Sequence, residues 1–409
     1  MPRRIIKYLI IPLMTIISPS LYANNVISID SICTQPITMN SKIVTVCNDI
    51  NFSNRVNNHA IHLNELDQNL VITNHTKLDI NNSDIGRLIK VNEKNAYLLA
   101  ETHSECIQVL DLNIEQQQAH SLLKYCDSSP LSLPYEVYKQ SIILSDQSLF
   151  FPVLFNESNQ TTVKVIRVNK QKKYQVLDIP EYINYIPISF VKFIDKSILL
   201  LRSKDDPEKS VLLSFRQDGK GNMKYSLLYD TSTFLVLTVS NANEKILIVG
   251  NNFEEEHMYF SIYEVEVTGN VKKLLDKEPL PFRPAFVKMD ETSMELYGAF
   301  VDATLQALAV GIFQVESLSA PELKLKSLKK ISTDKYPLLL ITPKDVTYII
   351  IDKPTYLLSL NSTKQQKKQL KYSNVSGMLY PSLFHLFAEQ YLFYIIKDSK
   401  QYKSVIEKL

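Results

Sequence analysis

Acidic side chains cluster in several short polar segments of the sequence. Two carboxylates on either side of a glycosidic bond can act as general acid and base, provided that their separation fits that role. Grouped carboxylates can also bind a divalent cation or attract a cationic partner. The simpler interpretation is solvated loop charge. The segments contain Glu101 and Glu105; Glu157; Asp205, Asp206 and Glu208; and Glu254, Glu255 and Glu256.

A second recurring pattern is an aromatic residue close to a proline. Aromatic rings around a cleft suit a sugar or a planar ligand, and Arg283 would add a cation. The alternative is structural, because proline can begin a strand where no ladder donor is needed while the ring packs against a neighbouring sheet. The copies are Pro134-Tyr135, Tyr185-Ile186-Pro187, Phe282-Arg283-Pro284, Tyr336-Pro337 and Tyr380-Pro381. The predicted ligand-binding residues are Tyr185, Phe282, Arg283, Tyr336 and Tyr380.

Neither the histidines nor the short catalytic motifs searched for in the sequence indicate a catalytic residue. His59 and His62 are three residues apart, which places them on opposite faces of a strand. They and the other two nearby histidines, His75 and His103, are therefore interpreted as isolated or loop residues. HExxH, GxSxG, GxxxxGK[ST] and GxGxxG are absent from the sequence. We predict no catalytic residue, no metal site and no cofactor.

The elements that must position these side chains are strands. One hairpin pattern recurs, in which an apolar run, a tight polar turn and a second apolar run follow one another, as in ITMNSKIVTV and KVNEKNAYLL. Its copies are about 50 residues apart, a period that indicates a repeat architecture. Two further strand-like runs lie between successive hairpins. The turns are at Asn40, Asn92, Asp146, Asp195, Asn241, Asp290, Pro343 and Glu389.

This repeat resembles the β-propeller architecture over nearly all of the chain. The resemblance implies one all-β propeller domain of four-stranded antiparallel blades, with eight blades favoured over seven. WD, kelch and Asp-box repeats do not match, and no family within the architecture is indicated. The last repeat has three strand-like runs, and we predict that residues 25–30 supply its fourth strand. The N- and C-terminal strands would then close the ring and satisfy exposed strand edges.

In a four-stranded meander, successive turns lie on alternate faces of the disc. The loops between second and third strands then share a face with the connections between blades. We call it the acidic face, because the carboxylates described above fall there. The turns between third and fourth strands lie on the opposite face and are basic. The aromatic-proline pairs are expected on the acidic face, near the mouth of the central channel. The basic turns contain Lys170, Lys172 and Lys173; Lys220 and Lys224; and Lys364, Lys367 and Lys368.

The N-terminus reads as a signal peptide. Arg3, Arg4 and Lys7 precede an apolar run at 8–17, and a small residue, Ala23, offers a cleavage site. The apolar run is too short for a spanning helix, so we predict a signal peptide at 1–23, a propeller domain at 24–409 and no membrane span after cleavage. Cleavage removes three basic residues and changes the formal charge from +2 to −1. A nearly neutral chain argues against nucleic-acid binding.

The four cysteines favour two disulfides, because an even number occurs in a chain predicted to be exported, to the periplasm or outside the cell. Cys33 and Cys47 are equidistant from Asn40, so they should face each other across neighbouring strands. Cys106 and Cys126 are symmetric about residues 115–117. We predict these two pairings. The alternative is that the cysteines bind zinc, which is disfavoured because the sequence has no CxxC pair.

Together these features predict a non-enzymatic binding or scaffold propeller that presents one face to a protein or glycan partner. The alternative is an enzyme with its site at the channel mouth, acting on a carbohydrate or another polar substrate. A quinone-dependent dehydrogenase is disfavoured because the chain has no tryptophan. Architecture alone does not decide between these functions.

Overall fold

The computed structural model consists of antiparallel strands and the turns that join them. Between residues 231 and 367 it describes the backbone only, apart from 270–272. No helix long and apolar enough to cross a membrane occurs in the portion described. The described residues are 26–48, 60–78, 80, 83–102, 105–133, 141–144, 146–193, 196–206, 209–219, 221–231, 234–240, 245–254, 257–265, 270–280, 283–290, 295–302, 307–315, 323–331, 338–342, 345–350, 356–360, 365–372, 378–386, 389–398 and 401–409.

The described strands form eight antiparallel sheets, numbered here in chain order. Sheet 1 contains β2 (Ile32–Cys33), β3 (Ile37–Met39), β4 (Lys42–Asn48), β5 (Ile61–Leu66) and β6 (Ile72–Leu78). Sheet 2 contains β7 (Ser83–Lys90), β8 (Asn95–Thr102), β9 (Ile107–Asn113) and β10 (Gln118–Tyr125). Sheet 3 contains β11 (Leu131–Ser132), β12 (Ile142–Ile143), β13 (Leu149–Glu157), β14 (Gln160–Val168) and β15 (Tyr174–Ile179). Sheet 4 contains β16 (Tyr185–Phe193), β17 (Lys196–Ser203), β18 (Ser210–Gln217) and β19 (Met223–Thr231).

The remaining sheets repeat the same plan. Sheet 5 contains β20 (Phe234–Ser240), β21 (Lys245–Glu254), β22 (His257–Val265) and β23 (Val271–Leu280). Sheet 6 contains β24 (Arg283–Asp290), β25 (Glu295–Asp302), β26 (Ala307–Val315) and β27 (Leu323–Ile331). Sheet 7 contains β28 (Leu338–Thr342), β29 (Asp345–Ile350), β30 (Tyr356–Leu360) and β31 (Gln365–Gln369). Sheet 8 contains β32 (Met378–Leu386), β33 (Glu389–Asp398), β34 (Gln401–Lys408) and β1 (Val26–Ile29).

The recurring hairpin of the sequence is the pair of first and second strands of each sheet. Six of the eight predicted turn positions fall between such strands, as Asn40 does between β3 and β4, whereas Asp290 ends β24 and Glu389 begins β33. Asn40 and Ser41 both have positive φ, which is the conformation that a tight two-residue hairpin turn needs. The prediction of an all-β propeller with four-stranded antiparallel blades is confirmed, and in sheets 1 and 3 two short strands pair with the second strand in place of a single first strand. The number of blades in the ring stays a prediction.

The N-terminal strand completes the last sheet, as predicted. β1 pairs antiparallel with β34, so sheet 8 takes one strand from the start of the chain and three from its end. Neighbouring sheets contact one another through their first strands, as β28 does with β32 and β32 with β3, and sheets 2 and 3 share a core cluster. The arrangement is therefore a closed ring with β1 and β34 at its seam.

The core lies between sheets rather than within one of them. Central strands bury both faces, so Ala96 and Leu98 of β8 pack towards sheet 1 while Tyr97 and Leu99 pack towards sheet 3. Similar clusters join sheets 3 and 4 and join sheet 8 to sheet 1. Such two-sided burial explains why these strands read as nearly continuous apolar runs.

Register shifts recur in the first strands. The pairing of first with second strand shifts at Ile85/Arg87 in β7, Pro187/Ser189 in β16, Pro284/Phe286 in β24 and Leu379/Ser382 in β32. Three of these shifts contain or adjoin the prolines of the aromatic-proline pattern. Proline is tolerated at such a shift because the regular ladder is locally interrupted. This placement supports a structural role for the prolines, inside the strands rather than at their beginnings.

Both predicted disulfides are present. Cys33 lies directly opposite Cys47 in the pairing of β2 with β4, with Cα atoms 3.9 Å apart. Cys106 and Cys126 lie one residue beyond the paired ends of β9 and β10, and their Cα atoms are 4.4 Å apart. Disulfides are typical of oxidising compartments, so the pair points towards an exported protein.

Candidate functional site

The predicted aromatic pocket is only partly described. Tyr185 begins β16, Arg283 begins β24 and Tyr380 lies in β32. Phe282 and Tyr336 lie outside the described residues, as do the side chains of Arg283 and Tyr380. Convergence of these residues on one pocket therefore stays a prediction.

Tyr185 is half-buried between sheets 3 and 4. Its ring meets that of Tyr182 edge to face, with centroids 5.5 Å apart. Burial raises the pKa of Tyr185, and Asp230 and Asp206 raise it further against the opposing charge of Lys209. Tyr185 is therefore a neutral phenol among carboxylates.

Two more tyrosines extend this surface. Tyr225 Oη donates a hydrogen bond to Glu181 Oε2 at 2.5 Å. Burial and this hydrogen bond raise the pKa of Tyr225 well above its ordinary value. Burial also raises the pKa of Tyr182, with Asp230 and Glu181 adding to the effect. We call this group the acidic tyrosine patch, and it consists of Tyr182, Tyr185, Tyr225, Glu181, Asp206 and Asp230.

Exposed apolar side chains accompany the patch. Ile183, in the same connection as Tyr182, is 45% exposed. Leu227, two residues after Tyr225 in β19, is 54% exposed. Large apolar groups left in solvent beside aromatic rings are a feature of interaction surfaces.

Asn184 fixes the connection that carries Tyr182 and leads into Tyr185. Its φ of 61° places the backbone in the left-handed region, where asparagine is among the better-tolerated residues. Asn184 N donates to Thr161 O at 2.7 Å, and Asn184 Oδ1 accepts from Thr161 N at 3.1 Å. On the other side, Asn184 Nδ2 donates to Asp205 Oδ2 at 3.0 Å, and Asn184 O accepts from Lys204 N at 2.7 Å. The connection is thus bonded to the start of β14 in sheet 3 and to the loop between β17 and β18 in sheet 4.

The predicted acidic-face residues Asp205 and Asp206 lie in this region. Asp205 is bonded to Asn184, whereas Asp206 pairs with Lys209 at 3.4 Å between two exposed side chains. Such an exposed pair contributes little to stability. Asp206 therefore remains accessible to a partner at small cost.

Glu101 performs a similar structural task in sheet 2. Its carboxylate accepts a hydrogen bond from the backbone N–H of Leu133, in the segment that leads into sheet 3. Among the described carboxylates, Glu101 and Asp205 thus fasten inter-sheet connections. Of the remaining predicted acidic-face residues, Glu255 and Glu256 and the side chain of Glu254 lie outside the described residues.

Of the four histidines of the first two repeats, His62 in β5 and His75 in β6 are described, and they form a stacked pair instead of being isolated or in loops. The rings of His62 and His75 are 4.3 Å apart at 12°, and His75 Nδ1 lies 2.6 Å from Asn64 Oδ1. His59 and His103 lie outside the described residues. Where the structure is described, three or more histidine, cysteine or acidic side chains do not gather into a possible metal site.

The opposite face contains a groove that the sequence did not predict. It lies between the third-to-fourth-strand turns of sheets 3 and 4, and consists of an inner cavity of about 250 Å³ and an outer one of about 550 Å³. Phe150, Val165 and Met223 contribute to the apolar inner part. The outer part is lined by polar and basic residues: Arg167, Asn169, Lys172, Lys173, Tyr174, Gln175, Gln217 and Gly221. We call it the basic groove.

Arg167 holds the two walls of the basic groove together. Its guanidinium is paired with Asp146, in the first hairpin turn of sheet 3, and donates to Ser148 Oγ at 3.1 Å. It also donates to Gly221 O of sheet 4 at 3.3 Å. The sequence signal for the groove was the lysine-rich turn at 170–173. That signal does not reveal that a second sheet supplies the other wall.

No protein-family model matches the sequence, and no curated protein matches it. Solved structures do match the fold. The WD40 domain of SCAP from fission yeast has a TM-score of 0.50 at 8% identity, over 94% of this chain and 98% of that one. Dipeptidyl peptidase 4 from Porphyromonas gingivalis has a TM-score of 0.52 at 10% identity, over 87% of this chain and 56% of that one. Oligopeptidase B from Leishmania major has a TM-score of 0.52 at 8% identity, over 91% and 54%.

These similarities concern architecture. The chain spans little more than half the length of the peptidases that it matches. At such low identity the likeness extends to the propeller fold and no further.

Proposed function

We propose that this protein is an exported, non-enzymatic binding propeller that presents its acidic face to a protein or glycan partner. The acidic tyrosine patch is the observation that carries the proposal. It combines three half-buried phenols with accessible carboxylates, and Asn184 holds in place the connection that carries Tyr182 and Glu181. A surface fixed in this way loses little conformational freedom on binding.

The chemistry of the patch favours a basic segment of a protein. A lysine or arginine can lie over a phenol ring while it pairs with Asp206 or Asp230. The exposed side chains of Ile183 and Leu227 add apolar area that a protein interface would cover. A neutral glycan would leave the carboxylates without a counter-charge.

Export rests on two features. The disulfides are typical of an oxidising compartment. The order of basic, apolar and small residues in 1–23 is that of a signal peptide. The mature domain would then be 24–409, in an envelope space or outside the cell.

Charge reversal tests the proposed binding face. The wild-type protein and the Asp206→Lys/Asp230→Lys variant are used as bait in the native envelope fraction and culture fluid. We expect the wild type to retain a partner with a basic surface, and the double variant to bind the purified partner at least about tenfold more weakly. The loss should shrink at high salt because screening weakens the attraction to the wild type.

Glu115→Lys is the matched control. Glu115 lies between β9 and β10, on the opposite face, in an exposed pair with Lys94 at 3.2 Å. This variant should bind the partner like the wild type. An unchanged partner list for the double variant would contradict the proposal. Reversal of Glu254, Glu255 and Glu256 tests in addition whether the surface extends to sheet 5.

A further inference from the structure

We propose that the basic groove binds an acidic sugar, such as a uronic-acid unit of an oligosaccharide. The groove is formed by the third-to-fourth-strand turns of sheets 3 and 4, whereas the charged residues proposed to bind the partner, Asp206 and Asp230, lie at the other end of sheet 4, so this inference does not depend on the proposed partner. The outer cavity of about 550 Å³ falls within the size range of small-molecule sites.

The hydrogen bonds of the groove fix the orientation of its amide side chains. Gln175 Oε1 accepts from the backbone N–H of Met223 at 3.3 Å, so Gln175 Nε2 must be the donor to Asn222 Oδ1, 3.2 Å away. Asn169 Oδ1 accepts from the backbone N–H of Lys173 at 3.0 Å. Because a backbone N–H can only donate, neither assignment can be reversed.

This orientation leaves an excess of donors. The oxygens of Asn169, Asn222 and Gln175 already accept protein hydrogen bonds, and Gly221 O accepts from Arg167 and Gln217. Within the described residues, the Nδ2 groups of Asn169 and Asn222 donate to no protein acceptor. The side-chain oxygen of Gln217, Oε1, accepts no hydrogen bond in this network. A ligand that supplies acceptors therefore satisfies the groups of the groove that have no protein partner.

The same wall carries free positive charge. Arg167 is neutralised by Asp146, and Lys224 is paired with Asp218 at 3.5 Å. The ammonium groups of Lys172 and Lys173, by contrast, form no ion pair with any described residue. An anionic acceptor, a carboxylate above all, satisfies these lysines and the two amides together.

Tyr174 and the lack of available acceptors favour a sugar over a peptide. Tyr174 lines the groove and is 52% exposed, so its ring offers a face against which a sugar can pack. A peptide brings one backbone N–H for nearly every residue, and most acceptors of the groove already accept a hydrogen bond from the protein. Sugar hydroxyls can accept hydrogen bonds from the groove while their own protons turn towards water.

Calorimetric titration with two trisaccharides and one tripeptide tests the inference. The probes are trigalacturonic acid, neutral maltotriose and the acidic peptide triglutamate. We expect trigalacturonic acid to bind at least about tenfold more tightly than either of the others, with an affinity that falls as salt rises. Equal affinity for maltotriose, tighter binding of triglutamate, or no binding of trigalacturonic acid up to about 10 mM would each overturn the proposal.

Two variants locate the binding site. Lys172→Gln/Lys173→Gln removes both charges, whereas Asn222→Asp replaces the donor Nδ2 with a repelling oxygen and keeps the acceptor for Gln175. Each should weaken trigalacturonic acid binding by about tenfold or more. Lys77→Gln, an exposed lysine of sheet 1, is the matched control and should bind like the wild type. Unchanged affinity in both groove variants, with melting temperatures showing that they are folded, would overturn the assignment.

Discussion

At the scale of single residues, Lys164 shows how a charge is accommodated between two sheets. Its Nζ lies 2.6 Å from Asp127 Oδ2 and 3.1 Å from Asp178 Oδ1, over the ring of Phe155 at 4.2 Å. Tyr125 Oη donates to the same Asp127 oxygen at 2.8 Å. The side chains of Lys164 and Asp127 are 14% and 19% exposed, so this pair is screened far less than a surface pair.

The carboxyl of Asp127 should make stability depend on acid pH. Burial alone would raise its pKa, but the hydrogen bonds from Lys164 and Tyr125 prevail and lower it to about 2. A lowered pKa stabilises the folded state above the unfolded value of about 3.9, and this contribution is lost as pH falls towards 2. We expect Asp127→Asn to cost on the order of 2 kcal/mol at pH 7, measured by urea unfolding, and progressively less between pH 4 and pH 2.

Asp178→Asn is the control for that prediction. It removes the other carboxylate of the same lysine, whose side chain is 63% exposed. Exposed ion pairs contribute little, so its unfolding free energy should stay within about 0.5 kcal/mol of the wild type. A cost of Asp127→Asn that remained constant down to pH 2 would contradict the assigned pKa.

At the scale of elements, the connection ending at Asn184 joins β15 to β16 through two separable effects. Asn184 has a φ of 61°, in the left-handed region, and its side chain forms hydrogen bonds with Thr161 and Asp205. Asn184→Gly keeps the conformation and loses the bonds, so we expect it to cost about 1–2 kcal/mol of unfolding free energy. Asn184→Ala loses both and should cost roughly 1 kcal/mol more. Denaturant unfolding of the two variants separates the effects, and an alanine variant as stable as the glycine one would refute the backbone contribution.

The strands and hairpins were predictable from the sequence, whereas the side-chain contacts between neighbouring sheets were not. The hairpin at Asn40 and the Cys33–Cys47 pair follow from strand periodicity and the symmetry of one turn. The bond from Gln175 to Asn222 joins side chains 47 residues apart on different sheets, and no local pattern encodes which side chains will meet there. The groove was therefore recognisable in sequence only as an excess of lysine. The shifts of the first strands were likewise hidden, although the prolines marked three of them.

At the scale of the whole molecule, the ring depends on contacts between its first and last residues. Ser404 N donates to Ser31 O at 3.1 Å. Ser404 Oγ donates to the same carbonyl at 2.9 Å and accepts from Cys33 N at 2.8 Å. Tyr391 of sheet 8 also contacts sheet 1, because its Oη donates to Gln68 O at 2.9 Å. Tyr97, at the corresponding position of β8, bonds to Gln147 O of the following sheet at the same distance. Sheets 8 and 1 are therefore joined in the manner of other neighbours, with β1 as the additional element at the seam.

Removal of β1 should open the seam. A chain that begins at residue 30 keeps Asp30 and Ser31 but exposes the edge of β34 that β1 occupies, and exposed edges invite pairing with other chains. Compared with a chain that begins at residue 24, we expect amide hydrogen exchange in β34 to accelerate at least about tenfold, because local opening there would cost less free energy. Exchange in β17 and β18, within sheet 4, should stay unchanged as an internal reference.

Asp30→Ala in the longer chain is the control, because its pair with Lys403 at 3.5 Å involves a carboxylate that is 73% exposed. Equal protection of β34 in both chains would mean that β1 is not what closes the ring.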